Sequence, residues 1–177
     1  SVSGRELTIT SPLKHEHFGA PAAGKSTAAD TGADVPVEVR SEIGLLSRNV
    51  RVEGAFPTGV SPDSAVAAGW GCHVRVAKIT SGGVAYVGVA ELSATEIEGC
   101  GQSGTMRHAL HFENVPGNGS YVRGVSVHRS NAVGIMVRSS PRLEITSVVV
   151  YVSKGSSVAV TSSDGVLVDK SLALSTY

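Results

Sequence analysis

A histidine and a glutamate two residues apart, His111 and Glu113, are the pair of side chains in this sequence best placed to do chemistry together. In an extended strand, residues i and i+2 point to the same face, so the imidazole and the carboxylate would stand side by side. Such a pair can serve as general base and general acid when a bond is cleaved. A surface strand with ordinary polar residues has the same pattern, and this alternative stays open.

The other chemically active residues predict neither a metal nor a cofactor. His15 and His17 would share one face of an extended segment, but two ligands are too few for a structural zinc site. His73 and His128 are isolated in the sequence, which favours packed or solvated imidazoles. Residues 19–26 match the phosphate-binding pattern G-x-x-x-x-G-K-[ST] without the flanking strand and helix that its mechanism requires.

Short strands must position these side chains, because a chain of this composition is expected to form few helices. Val, Ser and Gly occur 27, 24 and 21 times, and only 5% of residues are aromatic. Apolar residues alternate with polar or small ones in stretches such as 50–53, 74–76 and 158–160. This alternation is typical of half-buried strands. Basic and acidic residues number 15 each, so the chain lacks the positive charge of a nucleic-acid binder. It contains no run of 18 apolar residues, so we expect no membrane insertion.

The last third of the chain repeats itself. Residues 122–128 and 145–151 align at an offset of 23, and residues 168–174 follow at the same offset. Residues 134–137 and 157–160 lie between these segments and are also 23 apart. Two short strands in each 23-residue unit are typical of a solenoid coil.

The repeat predicts an all-β fold, a right-handed parallel β-helix over residues 37–177 with its clearest coils at 121–177. An irregular β-rich segment is expected at residues 1–36. An earlier copy is expected at 86–92, with Tyr86 aligned to Tyr121. A β-sandwich is the alternative, but its hairpin signals should recur about every 8–12 residues.

The stretch Glu38–Gly54, EVRSEIGLLSRNVRVEG, resembles a segment of one group of extracellular proteins. In that group an EVGLL(S/T)RNI.I.G pattern follows a β-rich G8 domain and precedes parallel β-helix repeats. The group includes fibrocystin, fibrocystin-L and the cell-surface proteins that degrade hyaluronan. Residues 71–76, 85–92 and 107–112 agree with it in order. The resemblance implies that residues 1–36 are the end of a G8 module, with an Ala/Gly loop, and that the chain is extracellular.

Members of this group that cleave hyaluronan carry a motif close to R-Y-P-(V/I)-H-F-H. Here it reads Arg107-His-Ala-Leu-His111-Phe-Glu113, so the arginine, the first of its two histidines and the phenylalanine match, while Glu113 replaces the final histidine. This departure favours a chain that is not an enzyme. In the alternative, a groove that binds or cleaves a glycosaminoglycan such as hyaluronan would use Arg107, His111, Glu113 and His128.

The extracellular setting that the resemblance implies is compatible with one disulfide between Cys72 and Cys100, which are 28 residues apart, a little over one coil. Two buried free thiols are the alternative. The same setting favours glycosylation of Asn118, which follows Pro116 and Gly117 and begins an Asn-Gly-Ser sequon.

We therefore expect a non-enzymatic structural or adhesion segment of a large fibrocystin-like surface protein, in a ciliary or flagellar coat or filament. Its partners would be the rest of a longer parent chain, neighbouring extracellular subunits and glycans, and no nucleic acid. The start at Ser1 without a methionine, and the finish inside an apolar alternation, favour an excerpt of a longer protein.

Overall fold

The computed structural model describes residues 2–3, 6–7, 24–27, 34–37, 44–55, 69–116 and 119–176. Contacts divide the chain into two compact units, Ser1–Ile43 and Gly44–Tyr177. In the first unit, β1 (Val2–Ser3) pairs with β2 (Glu6–Leu7), and β3 (Gly24–Thr27) pairs with β4 (Asp34–Val37). Both pairs are antiparallel.

The described part of the second unit contains fourteen strands. In chain order they are β5 (Val50–Glu53), β6 (Val74–Ser81), β7 (Val84–Val87), β8 (Glu91–Ser93), β9 (Thr95–Glu98), β10 (Leu110–Glu113), β11 (Tyr121–Arg123), β12 (Ser126–Ser130), β13 (Ile135–Arg138), β14 (Glu144–Thr146), β15 (Val149–Ser153), β16 (Val158–Thr161), β17 (Leu167–Asp169) and β18 (Leu172–Thr176). No helix occurs in the part of the chain that the structure describes, and so none there could cross a membrane. The all-β prediction is confirmed.

Three sheets hold these strands. Sheet 1 has the order β16-β13-β10-β6-β7, sheet 2 the order β17-β14-β11-β8, and sheet 3 the order β18-β15-β12-β9-β5. From β6 onward the chain visits sheets 1, 2 and 3 in rotation, four times over. Every neighbouring pair in these sheets is parallel except β6 with β7.

The 23-residue sequence offset is the register of this stacking. Ile135 pairs with Val158 in sheet 1, as Glu144 pairs with Leu167 in sheet 2. Where the offset is 23, each residue lies directly beside its equivalent in the next pass through the sheets.

The core lies between the sheets and is made of small aliphatic side chains. Ile135, Ile145 and Val127, one from each sheet, are fully buried. Full burial of one such side chain stabilises a fold by about 1.5–3 kcal/mol, so stacked columns of them can replace an aromatic core. Phe112 is the largest of the buried side chains.

The alignment expected for Tyr86 is wrong. Tyr121 pairs with Glu91 of β8, whereas Tyr86 lies opposite Ile79 in the antiparallel β6–β7 hairpin. Gly82 and Gly83 form the turn of this hairpin with φ of 58° and 78°. Two successive residues with positive φ are what a tight two-residue hairpin requires, and glycine adopts them without strain. The hairpin displaces the repeat by several residues.

Candidate functional site

Strands β6 and β10 place the candidate residues on the outward face of sheet 1. Leu110 and Phe112 are fully buried in the core, so His111 and Glu113 point to the opposite face by strand alternation. The parallel register sets Arg75 of β6 beside His111. A pairing between distant parts of the sequence thus adds an arginine to the predicted pair.

The loop between β9 and β10 is fixed against the segment that leads into β6. A disulfide joins Cys72 to Cys100, and the Gln102 side-chain amide donates a hydrogen bond to the carbonyl of Gly71 at 3.2 Å. The Arg107 guanidinium donates to Gln102 Oε1 at 2.9 Å. These contacts hold His108, which follows Arg107, next to the outward face of sheet 1.

Glu113 is bound by arginine on this face. Arg75 donates to Glu113 Oε2 from two guanidinium nitrogens, the Nε contact being 3.0 Å, and a nitrogen of Arg138 is 3.9 Å from Glu113 Oε1. The hydrogen bond from Arg75 holds the pKa of the Glu113 carboxyl below its usual value. Glu113 is therefore an ionised acceptor at neutral pH.

Three imidazoles gather beside this ion pair. The ring centroids of His108 and His111 are 5.1 Å apart, and those of His73 and His111 are 6.1 Å apart. His108 and His111 are only 6% and 2% exposed. Both ring nitrogens of each, and Nε2 of His73, are buried without a hydrogen-bond partner.

The three histidines are neutral at physiological pH. Burial lowers the pKa of each below its usual value, and for His111 the pKa falls to about 4. Neighbouring histidines and Arg75 lower the pKa of His111 further, while Glu113 partly opposes them. Each ring thus offers one N–H donor and one free lone pair.

An open groove of about 840 Å³ lies against this cluster. Its walls are polar and cationic with one exposed methionine. They consist of His73, Arg75, Gln102, Thr105, Met106, Arg107, His111 and Glu113.

This arrangement does not supply the acid that hydrolysis of a glycosidic bond requires. Such hydrolysis needs one carboxyl group kept protonated by a raised pKa. Glu113 has a lowered pKa and is bound by Arg75, and His111 is neutral. The groove can bind an anion through its arginines and imidazole N–H groups.

A second buried polar cluster lies on sheet 3. His128 Nε2 is 3.0 Å from Glu96 Oε1, and His128 Nδ1 is 3.8 Å from Glu98 Oε1. Arg51 and Arg129 both donate to Glu98, and Arg51 Nε is 3.3 Å from Glu96 Oε1. Burial alone would raise the pKa of Glu98, but the hydrogen bonds from Arg51 and Arg129 lower it overall. Two arginines thus balance two carboxylates.

The stretch that carries the family resemblance is bound to the same sheet. The backbone N–H of Arg48 donates to Glu96 Oε2 at 3.1 Å, and Arg48 Nε donates to the Gly124 carbonyl at 2.7 Å. The Ser126 hydroxyl donates to the Leu46 carbonyl. Residues 44–49 therefore act as a strap that is hydrogen-bonded to sheet 3.

The structure brings together Arg107, His111 and Glu113, three of the four residues of the alternative site, in one groove. His128 is not among them, because it belongs to sheet 3 and contacts Glu96. Asn118 lies outside the described residues.

Sequence reasoning missed His73, Arg75 and His108 as members of this site. His108 lies within the motif at residues 107–113, so its position in the sequence could have indicated that it belongs to the site. The other two approach His111 only through the pairing of β6 with β10.

Comparison with known proteins gives two kinds of relative. The chain is 30% identical to mouse (Mus musculus) fibrocystin over 162 residues, which are 90% of the chain. It is 26% identical to human (Homo sapiens) fibrocystin-L over 163 residues and 27% identical to mouse fibrocystin-L over 129 residues, 87% and 68% of the chain. The chain spans only 3–4% of the length of these relatives. No family model and no solved structure matches. These likenesses support a fibrocystin-like relationship.

Proposed function

We propose that this chain is a non-enzymatic structural or adhesion segment of a large extracellular protein of the fibrocystin kind, in a ciliary or flagellar coat or filament. Residues 37–177 would form coils of a right-handed parallel β-helix, after the end of a G8 module at residues 1–36. The main support for the proposal is that the chain passes repeatedly through the same three sheets. The chain is also similar to fibrocystin over 90% of its own length.

The repeated passage of the chain through sheets 1, 2 and 3 supports a β-helix on physical grounds. Each pass through the three sheets adds one strand to each, in register with the pass before it. Crossovers between parallel strands are right-handed in almost all proteins, which favours that hand here. Stacked coils bind only their neighbours and present long, stiff surfaces, which suits a spacer or an adhesive element.

The chemistry of the groove supports a non-enzymatic role. Glu113 and Arg75 neutralise one another, and His111 is neutral. A general acid with a raised pKa would be required for hydrolysis, and neither candidate residue has one.

Surface labelling tests this proposal. Antibodies raised against the 177-residue chain should label intact, unpermeabilised cells that produce the parent protein. On ciliated or flagellated cells the label should follow the cilium or flagellum. Labelling that appears only after permeabilisation would contradict the extracellular placement, and surface labelling that spares these organelles would contradict the ciliary part alone.

The groove favours a second candidate function, the binding of an acidic polysaccharide. Arg75 and Arg107 line it together with neutral imidazoles, a combination that can hold carboxylates. High-molecular-weight hyaluronan should then bind the wild-type chain more strongly than Arg107→Gln. Arg142→Gln, a change at an exposed arginine outside the groove lining, is the matched control. The candidate function would be ruled out if the wild type, Arg107→Gln and Arg142→Gln bound hyaluronan equally and the hyaluronan chains were not shortened.

A further inference from the structure

The unusual feature of the groove is a set of buried imidazole nitrogens that lack partners. Native proteins pair nearly all buried polar atoms with protein groups or water. Yet five ring nitrogens of His73, His108 and His111 are buried without a hydrogen bond. Since His108 and His111 are more than nine-tenths buried, these atoms point to a ligand that completes the cluster.

The spacing of the His108 and His111 rings is that of two imidazoles on one metal ion, and the His73 ring lies farther away. A tetrahedral zinc ion binds imidazole nitrogen at about 2.0–2.1 Å, which places the centroids of two ligating rings roughly 5 Å apart. The separation of His108 and His111 is 5.1 Å, and that of His73 and His111 is 6.1 Å. His73 would have to move closer to the other two rings, because the ligating nitrogens of the three histidines do not all lie within 4.8 Å of one another.

We propose that His73, His108 and His111 bind one divalent transition-metal ion of the zinc, copper or cobalt class. Imidazole is a preferred ligand of these ions. Three protein ligands leave a further coordination position. Because His73 and His111 line the groove, that position is open to water or to an anionic group in the groove.

The protonation state of the cluster suits this role. A metal binds the neutral imidazole, so each ligand that must first lose a proton weakens binding. Burial lowers the pKa of all three histidines, and they are already neutral at pH 7.

The charges around the cluster oppose the cation only in part. Arg75 is paired with Glu113, which also lies near Arg138, and the Arg107 guanidinium donates to Gln102. The remaining positive potential would weaken the binding of the metal itself and would attract an anion to the open position.

The Glu96–Glu98–His128 cluster is the competing candidate. Its ligand atoms all lie within 4.8 Å of one another, closer than those of the three histidines. Its two carboxylates, however, are already bound by Arg51 and Arg129, which a cation would have to displace. The histidine cluster has unpartnered lone pairs and no such competitor.

Calorimetric titration of the chain with zinc chloride tests the proposal. Every protein carries His15→Gln and His17→Gln, so that this pair of histidines adds no binding, and is stripped with a chelator first. The otherwise wild-type chain should bind one zinc ion at pH 7.4. His108→Leu and His111→Leu should each weaken binding by more than about tenfold. The matched control His128→Gln should bind as the wild type does.

A second measurement keeps the test valid if a variant folds poorly. Cobalt should give the wild-type chain and His128→Gln the intense visible absorption of a four-coordinate site, and zinc should raise their thermal midpoints. His111→Leu should unfold cooperatively in chelator but show neither effect. Absence of stoichiometric binding by the wild type, equal binding by the histidine variants, or loss of binding in His128→Gln alone would overturn the proposal.

Discussion

At the scale of the residue, His111 is a group whose burial makes the protein sensitive to acid. Its pKa is about 4 in the native state and about 6.5 in an unfolded chain. Between these values the unfolded state binds more protons, so stability falls as the pH drops from about 6.5 towards 4. A single such group contributes a slope of at most about 1.4 kcal/mol per pH unit.

His111→Leu should remove this slope and leave the metal-free protein as stable as the wild type, or more so, at pH 5. Urea unfolding in the presence of a chelator at several pH values measures the free energy of unfolding of both proteins, and their difference gives the effect of the substitution. Parallel stability curves for wild type and variant would contradict the prediction.

Glu98 is a buried carboxylate whose negative charge is balanced by hydrogen bonds from Arg51 and Arg129. Glu98→Gln removes the buried carboxylate to which Arg51 and Arg129 both donate, and should lower the free energy of unfolding by about 2–4 kcal/mol. Because the native pKa of Glu98 is lowered, its contribution is present above the unfolded pKa and is lost as the pH falls below about 4.5.

Glu144→Gln is the matched control for this change. Arg123 binds Glu144 in an exposed pair, with a 2.7 Å contact, and such pairs add little to stability. Equal losses of stability in Glu98→Gln and Glu144→Gln, measured by urea unfolding at pH 7, would show that the sheet 3 cluster is not the buried network described above.

At the scale of the element, the corners between strands explain how the chain turns so sharply from one sheet to the next. Residues with positive φ recur at the same corner of successive coils: Ser139 and Ser162 are one such pair, and Ser147 and Lys170 are another. Their N–H groups still bond to the next coil, as Ser139 does to the Thr161 carbonyl at 3.0 Å. The hydrogen-bonded stack therefore continues around the bend.

Val152 also has a positive φ, although it lies within β15, between the paired residues Tyr151 and Ser153. A β-branched side chain at a φ of 55° is strained, at a cost on the order of 1–2 kcal/mol. Val152→Asn should raise the free energy of unfolding by about 1 kcal/mol, because asparagine tolerates this conformation. Thermal and urea unfolding measure the gain.

Val160→Asn is the control for that change, because Val160 lies in β16, is paired with Val137 of β13 and does not have a positive φ. It should destabilise the protein, because asparagine disfavours strands. A loss of stability from Val152→Asn as large as that from Val160→Asn would show that Val152 contributes more by packing than it loses by strain.

The elements also show which parts of the structure the sequence could predict. Residues 122–128 and 145–151 repeat with constant spacing, so their strands and their neighbours in space followed from periodicity alone. The first coils are interrupted by the β6–β7 hairpin and by the loop that holds Gln102 and Arg107, and Tyr86 was misaligned there. His73 reaches His111 only through strand pairing and the packing of that loop, which no local pattern encodes.

At the scale of the whole molecule, stability should depend on complete coils. Interactions in a stacked repeat are confined to neighbours, so removal of one unit removes its own contributions and keeps the others. Ile135 and Val158 occupy equivalent positions, as do Met136 and Ala159. If residues 135–157 are deleted, Gly134 is joined to Val158, and Val158 takes the place of Ile135 beside Leu110.

We expect this 23-residue deletion to fold, with cooperative urea unfolding, a smaller m-value and a lower free energy of unfolding than the parent chain. A control deletion of residues 135–146 removes about half a coil. It places Ser147 where Ile135 stood and moves every later strand out of its sheet, so the last strands should lose protection from hydrogen exchange. Only the longer deletion preserves the alignment of the buried valine and isoleucine columns. Equal hydrogen-exchange protection of β16, β17 and β18 in both deletions would therefore contradict a stack of exchangeable coils. Loss of folding in both deletions would contradict it as well.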